Sequence, residues 1–288
     1  MGYRTYRGDG LKRPLLLLAL LAAAACGGGP DRADRRAAPA SPVTREDSLI
    51  ARLQGALGGL DAWASMPRYL RFDFRIEFNG EEFLFSENLW DRWNGRYRTR
   101  WTAAYQDGEV LGLIDGNTGQ GEVWVNGEPA PEAAREELLS AAHYRATNDP
   151  YWLIAPFKFA DPGTRLDDQG LEEVEGAPHH RLHLSFEGDT GLTPGDQFWL
   201  YLNPETGLLD RWAFFLESFE GEPSLKGASE WRWEDWTEFG SVLIARKRTL
   251  VRSPQFIQFR TGQIDFPVLR FLDEVDERVF TDPDWPVP

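Results

Sequence analysis

The sequence contains a single cysteine, Cys26, in 288 residues, so no disulfide can form within the chain and stability must come from a packed core. It also lacks a G-x-S-x-G nucleophile elbow and a phosphate-binding loop ending in Gly-Lys-Ser/Thr. Positive charge is scarce, because 31 Lys and Arg stand against 46 Asp and Glu, for a net charge of −15. Such an acidic chain is a poor binder of nucleic acid and of anionic lipid surfaces. The sequence therefore predicts no catalytic residues, no cofactor and no nucleic-acid partner.

His179, His180 and His183 form the only histidine cluster in the sequence. On an extended strand His179 and His183 share a face but stand about 13 Å apart, which is too far for one metal ion. We interpret these residues as solvated strand histidines. The glycine-rich acidic segment 115–122 lacks the spacing of a calcium loop, so it is interpreted as a hairpin turn. No metal site is predicted.

The first 25 residues have the layout of a secretory signal, with basic residues ahead of the apolar run Leu15–Ala25, which is too short to span a bilayer. Ala23, Ala24 and Ala25 directly precede Cys26, and this arrangement resembles a bacterial lipobox. It implies cleavage between Ala25 and Cys26 and membrane attachment through an acylated Cys26. The alternative is an ordinary signal peptide with an incidental cysteine. Because Gly27 is not aspartate, the sorting rule for such lipoproteins implies the outer membrane, facing the periplasm, in a Gram-negative host.

Residues 26–43 are rich in Gly, Ala, Pro, Asp and Arg without apolar periodicity, which predicts a flexible tether. Thr44 then fits the N-cap of a helix whose leucines recur at helical spacing until Gly58-Gly59. A second helix is predicted over residues 131–145. Alternating or apolar segments between turn signals such as Asn79-Gly80 predict about eleven strands. They span residues 69–78, 83–92, 96–101, 109–115, 122–126, 181–187, 197–203, 208–217, 229–239, 242–251 and 256–266.

Residues 149–163 form the most apolar stretch after the signal segment. Three prolines interrupt the stretch, so it is predicted to be a hydrophobic closure between two groups of strands and not one long helix. Trp152 is interpreted either as a core residue or as the lip of a ligand groove. Lys158 either reaches solvent or pairs with an acid such as Asp161.

This order of elements predicts a mainly β (α+β) protein in which residues 44–288 form one domain. We expect a single, strongly curved antiparallel sheet of about eleven strands, wrapped around an N-terminal helix and a mid-chain helix. Such a sheet is an incomplete barrel. The sequence shows no βαβ alternation and no internal repeat of fixed period.

Three motifs carry a resemblance to known proteins, namely Leu57–Trp63 (LGGLDAW), Tyr151–Lys158 (YWLIAPFK) and Gly191–Asp196 (GLTPGD). They resemble a family of exported bacterial proteins with a half-barrel fold, and the order of elements resembles the LolA/LolB superfamily of lipoprotein carriers. The resemblance covers roughly residues 47–270. It implies an incomplete β-barrel, closed by helices, that holds acyl chains in an apolar cavity. A carrier's functional residues do not match this sequence one by one, so the fold alone transfers no function.

Aromatic residues, with 12 Trp and 18 Phe, are the strongest functional signal. Several predicted strands are apolar on both faces, as expected if one face is buried and the other lines a cavity; the alternative is a large packed aromatic core. The leading prediction is a non-catalytic protein that binds or carries a hydrophobic, acyl- or lipid-like ligand. A scaffold lipoprotein with a solid core and an envelope hydrolase that uses carboxylates are the alternatives, and no particular protein partner is predicted. The predicted groove residues are Trp90, Trp124, Trp152, Phe157, Trp199 and Trp212.

Overall fold

The computed structural model describes residues 44–188, 190–219, 221–254 and 257–288. The predicted cleavage site at Ala25 and Cys26 and the 26–43 tether lie outside these residues. The α-helices of the described part are α1 (Arg45–Ala56), α2 (Leu60–Ser65) and α3 (Glu132–Lys158). The strands are β1 (Tyr69–Phe78), β2 (Glu81–Asp91), β3 (Arg96–Ala103), β4 (Val110–Asp115), β5 (Gly121–Val125), β6 (Glu128–Pro129), β7 (Thr164–Val174), β8 (Ala177–Phe186), β9 (Gln197–Leu202), β10 (Leu209–Phe215), β11 (Ser229–Phe239), β12 (Val242–Arg252), β13 (Gly262–Asp265) and β14 (Leu269–Leu272).

The fourteen strands found in the described residues belong to one antiparallel sheet, in the order β6-β5-β4-β3-β2-β1-β13-β12-β11-β10-β9-β8-β7. Strand β14 pairs with the first half of β1, and β13 pairs with its second half. Helix α3 contacts β3, β4 and β5 from one part of this order and β12 from another, so the sheet curves around the helix. Strands β6 and β7 are its two open edges. The predicted mainly β architecture with an unclosed, curved antiparallel sheet is confirmed.

The strand count is higher than the eleven predicted. The three additional strands are β6, β7 and β14. Strands β6 and β14 have two and four residues, which is too short for an alternating pattern to stand out. Strand β7 is an edge strand whose register shifts between Asp168 and Leu171, and this irregularity removes the regular alternation that predicts a strand.

Strand β1 illustrates how the sequence sets the two faces of the sheet. The turn that follows β1 has φ angles of 52° at Asn79 and 81° at Gly80, as a two-residue turn of type I′ requires. This tight turn fixes the register of β1 against β2. The side chains on the inner face are buried and apolar, and they are Leu70, Phe72, Phe74 and Ile76.

The N-terminal helix begins where the sequence predicts. Thr44 Oγ1 accepts the Asp47 N–H at 3.2 Å and the Asp47 carboxylate accepts the Thr44 N–H at 3.1 Å, which forms a capping box. The predicted break also occurs, at Gly58, which has a φ of +103°. A Cβ atom at this position would lie 2.1 Å from the Ser241 carbonyl oxygen, so only glycine fits. Helix α2 therefore starts in a new direction against the sheet.

Helix α3 corrects the prediction for the proline-containing stretch. It runs without interruption over Glu132–Lys158, through Pro150 and Pro156, where the sequence predicted a helix ending at residue 145. A proline within a helix removes the hydrogen bond to the carbonyl four residues earlier. The loss at Pro156 is made good, because Arg248 Nη2 donates to the Trp152 carbonyl at 2.6 Å. The Trp152 carbonyl, which loses its usual helical donor at Pro156, is thus hydrogen-bonded by a side chain of strand β12.

Burial explains why α3 continues past both prolines. Every residue from Arg145 to Phe157 is buried. The gain from enclosing this apolar segment in the curved sheet offsets the roughly 3 kcal/mol that a proline costs inside a helix. The helix ends at Lys158, which pairs with Asp161, and this pairing is one of the two arrangements predicted for that lysine.

The outer face of β1–β3 is covered by the C-terminal segment, whose 3-10 helix spans Glu277–Phe280. Val279 and Phe280 pack there against Tyr69. Arg98 on β3 is buried, and in the described chain its guanidinium donates to backbone carbonyls of the C-terminal segment at 2.8–3.0 Å. The sheet therefore carries α3 on its inner face and the C-terminal segment on part of its outer face.

Candidate functional site

A cavity of about 400 Å³ lies at one end of the half-barrel, between α2, α3 and the turns that join β2 to β3 and β4 to β5. Small-molecule sites in proteins span roughly 300–1,000 Å³, so this volume suits a single ligand. The lining residues are Trp63, Ala64, Trp90, Arg92, Trp93, Gly95, Tyr97, Gly116, Asn117, Ala146, Thr147, Pro150, Tyr151, Ile154 and Lys158.

One face of α3 forms the floor of the cavity. Ala146, Pro150 and Ile154 are spaced four residues apart, so they lie on the same side of the helix, and all three line the cavity. Ala146 contributes only a methyl group, which lies close to the rim turn at Gly116. Pro150 has no N–H, so the Ala146 carbonyl lacks the donor that a helix usually supplies four residues later.

Asp91 organises the rim turn between β2 and β3. Its side chain is fully buried, and Oδ1 accepts the N–H groups of Trp93 and Asn94 at 3.3 Å each. Its oxygens also accept from Arg68 at 2.9 and 2.7 Å and from Arg96 at 2.9 and 2.6 Å. Burial would raise the pKa of Asp91, but the hydrogen bonds from these arginines outweigh it and lower the pKa to about 2. One carboxylate therefore fixes the turn that carries Trp93, which is 67% exposed at the cavity mouth.

Arg92 joins this rim turn to α2. Its Nη1 donates to the carbonyls of Met66 and Pro67 at 3.0 and 2.9 Å, and its Nη2 donates to the Trp63 carbonyl at 2.7 Å. These carbonyls lie at the C-terminal end of α2, where backbone acceptors lack partners within the helix. The guanidinium also lies over the Trp63 ring, 4.0 Å from its centroid, and Trp63 stacks on Phe157 at 4.8 Å. Arg92 therefore holds one wall of the cavity.

The charge of the lining differs from that of the whole chain. Among the residues that the structure describes, no Asp or Glu lines the cavity, although the chain carries a net charge of −15. Lys158 is paired with Asp161, whereas Arg92 has no carboxylate partner among the residues that the structure describes. Burial lowers the pKa of Arg92 to about 10, so the guanidinium remains positively charged at neutral pH.

The other side of α3 is packed with aromatic rings. Trp152 is fully buried, and its ring centroid lies 4.9 Å from Trp212, 5.8 Å from Phe214 and 5.7 Å from Trp231. All three contacts are edge to face, a geometry that aromatic pairs favour in cores. This side of the helix therefore fixes α3 to strands β10 and β11.

Four of the six predicted groove residues lie on the inner side of the sheet. Trp90 lines the cavity, and Phe157 stacks on the cavity residue Trp63. Trp152 and Trp212 contact each other in the packed core instead. Of the two roles predicted for Trp152, the structure shows the core role.

The remaining two predicted groove residues lie on the outer face, apart from the other four. Trp124 clusters with Leu111 and Leu113, and Trp199 clusters with Tyr201 and its neighbours on β10. Successive side chains of a strand point to opposite faces, and the residues flanking these tryptophans belong to the inner core or face it. The sequence prediction grouped residues from both faces because it had no means of placing them relative to α3.

The cavity contains residues that the sequence prediction did not single out as a site. Trp63 ends the LGGLDAW motif, and Tyr151 opens the YWLIAPFK motif, so two of the motifs behind the resemblance meet in the cavity. The aromatic residue after a glycine break was the available signal for Trp63. No comparable signal exists for Arg92, because its bonds to α2 depend on how the sheet folds.

A buried polar cluster lies on α3 away from the cavity. Asp149 is fully buried, accepts from Ser86 Oγ at 2.8 Å and Asn148 Nδ2 at 3.0 Å, and lies 3.3 Å from Arg145 Nη1. Burial raises the pKa of Asp149, and the positive charge of Arg145 opposes this shift. Asn88 on β2 donates to Ser86 Oγ at 2.9 Å. The cluster therefore sets the rotation of α3 against β2.

Carboxylates do not converge on the cavity. Asp196, in the GLTPGD motif, has its pKa raised to about 7 by burial. It accepts from Thr193 Oγ1 at 2.8 Å and from the Glu217 N–H at 2.9 Å, while Glu217 accepts the Gly195 N–H at 2.7 Å. These bonds tie a loop to the end of β10. Neither Asp196 nor Asp149 lines the cavity.

The histidine cluster is less solvated than predicted. His179 is buried, and its Nε2 lies 2.9 Å from the Asp210 carboxylate, whereas His180 lies 3.4 Å from Arg45. The segment 115–122 forms the predicted hairpin turn, between β4 and β5. In the described ranges no group of three or more His, Cys, Asp or Glu could hold a metal ion. Across the same ranges, the helices are too short or too polar to cross a membrane.

Neither a protein-family model nor a curated protein matches the chain. Several solved structures do match it. A LolA-superfamily protein from Nitrosomonas europaea is 9% identical with a TM-score of 0.45, and the match covers 83% of this chain and 98% of that one. A DUF1329 family protein from Desulfovibrio piger is 11% identical with a TM-score of 0.43, covering 84% and 98%. A domain named as an outer membrane lipoprotein-sorting protein, from Vibrio parahaemolyticus, is 10% identical with a TM-score of 0.41, covering 81% and 94%. The LolA-superfamily resemblance predicted from the sequence thus also appears among solved structures.

Proposed function

We propose that this protein is a cell-envelope lipoprotein, anchored through an acylated Cys26, that binds or carries a hydrophobic, acyl-chain-like ligand in the cavity beside α3. The protein performs no chemical step in this proposal. The observation that carries it is the cavity of about 400 Å³ at the end of a half-barrel whose other aromatic cluster is densely packed. Aromatic and aliphatic side chains supply part of the cavity lining, and covering that apolar surface with a ligand removes it from water.

The lining supports an apolar ligand. Trp63, Trp90 and Tyr151 present aromatic rings, and Ile154 presents an aliphatic side chain. Each Å² of apolar surface removed from water contributes about 25 cal/mol, so an acyl chain gains by entering. Trp93 stands exposed at the mouth, where a ligand coming from a membrane would first make contact.

Dye binding with a filled cavity tests the proposal. N-phenylnaphthylamine is a neutral apolar dye whose fluorescence rises in apolar sites, and we expect saturable binding to the purified protein. Ala146→Phe places a ring in the cavity and should abolish that binding. Ala133→Phe is the matched control, because Ala133 lies on the same helix but is exposed, so dye binding should be unchanged. Equal dye binding by the wild type and Ala146→Phe would refute the cavity as the ligand site.

The anchor supports the proposed location. An acylated Cys26 followed by a 17-residue polar segment, 27–43, would hold the folded part near a membrane, where acyl ligands are concentrated. In a Gram-negative host we place the protein on the outer membrane, facing the periplasm. Growth with a palmitate analogue should label the wild-type protein, whereas Cys26→Ala should remove the label. A label that persists in Cys26→Ala would contradict the anchor.

A scaffold lipoprotein with a solid core is the second candidate. The packed rings around Trp152 favour it, because a rigid core is all that a scaffold needs. The two candidates differ in the dye experiment. If the protein is a scaffold, the wild type should show no saturable dye binding. Ala146→Phe should then contact the same partners as the wild type.

A further inference from the structure

Arg92 is the one charged side chain of the cavity lining that has no opposite charge within the described part of the chain. A guanidinium has five N–H donors. Three of them donate to backbone carbonyls, and the Nε–H is buried without an acceptor. The buried Arg98 and Arg248 also have an Nε–H without an acceptor, so what distinguishes Arg92 is its place in the cavity lining, where its uncompensated positive charge can pair with an anion.

Two other buried arginines show what a purely structural arrangement looks like. Arg98 and Arg248 also bond to backbone carbonyls, and burial lowers the pKa of each. Arg98 lies on the outer face under the C-terminal segment, and Arg248 lies in the packed core over the Trp233 ring at 3.4 Å. Neither lines the cavity. Arg92 also bonds to backbone carbonyls. Unlike Arg98 and Arg248, it lines the cavity, where a ligand can reach it.

The surroundings of Arg92 keep protein carboxylates away from it. Asp91 precedes it in the sequence, but its carboxylate is occupied by Arg68 and Arg96. Asp161 is occupied by Lys158. The positive charge of Arg92 at the cavity wall is therefore available to a ligand. The chain as a whole has a net charge of −15, which repels anions elsewhere.

We propose that the cavity ligand is an anionic amphiphile, with an acyl chain against the aromatic walls and a carboxylate or phosphate head group paired with Arg92. This inference rests on the proposed function and adds the charge of the ligand to it. The head group accepts from the Nη2 hydrogen of Arg92 that the carbonyls leave free, because the Nε–H is buried. A charge-assisted hydrogen bond of this kind discriminates strongly against a neutral head group of the same size.

Displacement of the neutral dye by three matched ligands tests the inference. Palmitic acid, hexadecyl phosphate and methyl palmitate share an apolar chain and differ in the head group. A hydrogen bond to a charged group is worth about 1.5–3 kcal/mol, so at least one of the two anions should displace the dye about tenfold more effectively than the ester. The more effective anion then identifies the head group as a carboxylate or a phosphate.

Variants of Arg92 complete the test. Arg92→Gln should remove the preference for the anion over methyl palmitate, while Arg92→Lys, which keeps the positive charge, should retain a preference. Because Arg92 also holds the wall formed by α2, the ratio of anion to ester displacement is the readout in each variant. Arg98→Gln is the matched control, because it removes a carbonyl-bonded arginine away from the cavity and should keep the wild-type preference. Equal displacement by ester and anions in the wild type, or a preference that survives Arg92→Gln, would overturn the inference while the proposed function stands. Absence of dye binding would instead overturn the proposed function and this inference together.

Discussion

Helix α3 lies between two regions that both contain aromatic residues and differ in packing. On one side, Trp152 fills its environment and meets Trp212 and Trp231 edge to face. On the other side, Pro150 and Ile154 line a cavity of about 400 Å³, and Tyr151 lies between the two regions because it lines the cavity and also stacks on Trp212. The presence of aromatic residues therefore does not by itself decide where a cavity forms. In the second region, the rim turn that carries Arg92 and Trp93 is fixed by its own hydrogen bonds and by its bonds to α2.

The largest difference between the two regions should appear in stability. Trp152→Ala removes a fully buried ring, and we expect a loss of about 3–5 kcal/mol in the free energy of unfolding. Trp90→Ala, on the cavity side, removes a partly exposed ring and should cost about half of that or less, while weakening dye binding. Urea unfolding of both variants measures this contrast. Similar losses in the two variants would mean that both regions are packed alike.

The rim should show the next largest effect, through Asp91. Its folded-state pKa of about 2 is below the ordinary value of 3.8, so the contribution is fully present above about pH 4 and is lost as pH falls towards 2. The shift corresponds to about 2 kcal/mol of stability. Asp91→Asn should remove this contribution, flatten the pH dependence of unfolding between pH 4 and 2, and weaken dye binding because Trp93 is released. Unchanged dye binding in this variant would show that the rim turn does not shape the cavity.

Replacing Pro150 or Pro156 should give the smallest change in stability, and the two replacements should differ from each other. Pro156→Ala restores an N–H for the Trp152 carbonyl, which Arg248 already satisfies, so little stability should be gained. Pro150→Ala restores a donor for the Ala146 carbonyl on the cavity side, and we expect it to gain about 1 kcal/mol more than Pro156→Ala.

A double-mutant cycle isolates the reason for that contrast. In Arg248→Met the Trp152 carbonyl loses its donor, so Pro156→Ala should then gain about 1 kcal/mol more than it does in the wild type. Thermal or urea unfolding of the four proteins measures this coupling. Zero coupling would show that Arg248 does not compensate for Pro156.

Local signals predicted much of the fold. The capping box at Thr44, the break at Gly58 and the hairpin at Asn79-Gly80 all occur as predicted, because each depends on residues close together in the chain. The course of α3 through Pro156 was not predictable in this way. The donor that compensates for it belongs to Arg248, on a strand far along the sequence.

The candidate site was only partly predictable for the same reason. Trp90 was predicted and lines the cavity, and the motifs that contain Trp63 and Tyr151 meet there. Alternation along a strand tells which residues share a face, but it does not tell which face meets α3, so Trp124 and Trp199 were grouped with residues of the opposite face. The role of Arg92 depends on the carbonyls of α2 and on the absence of an acid from the cavity lining, which only the folded chain shows.

The central claim is that the cavity beside α3 holds a hydrophobic ligand. Native mass spectrometry of the protein purified from its own host tests this claim most directly. We expect the wild-type protein to carry an adduct with the mass of one acyl-chain ligand, and we expect Ala146→Phe to lack it while Ala133→Phe retains it. Wild-type protein without any adduct, or an adduct that persists in Ala146→Phe, would contradict the claim.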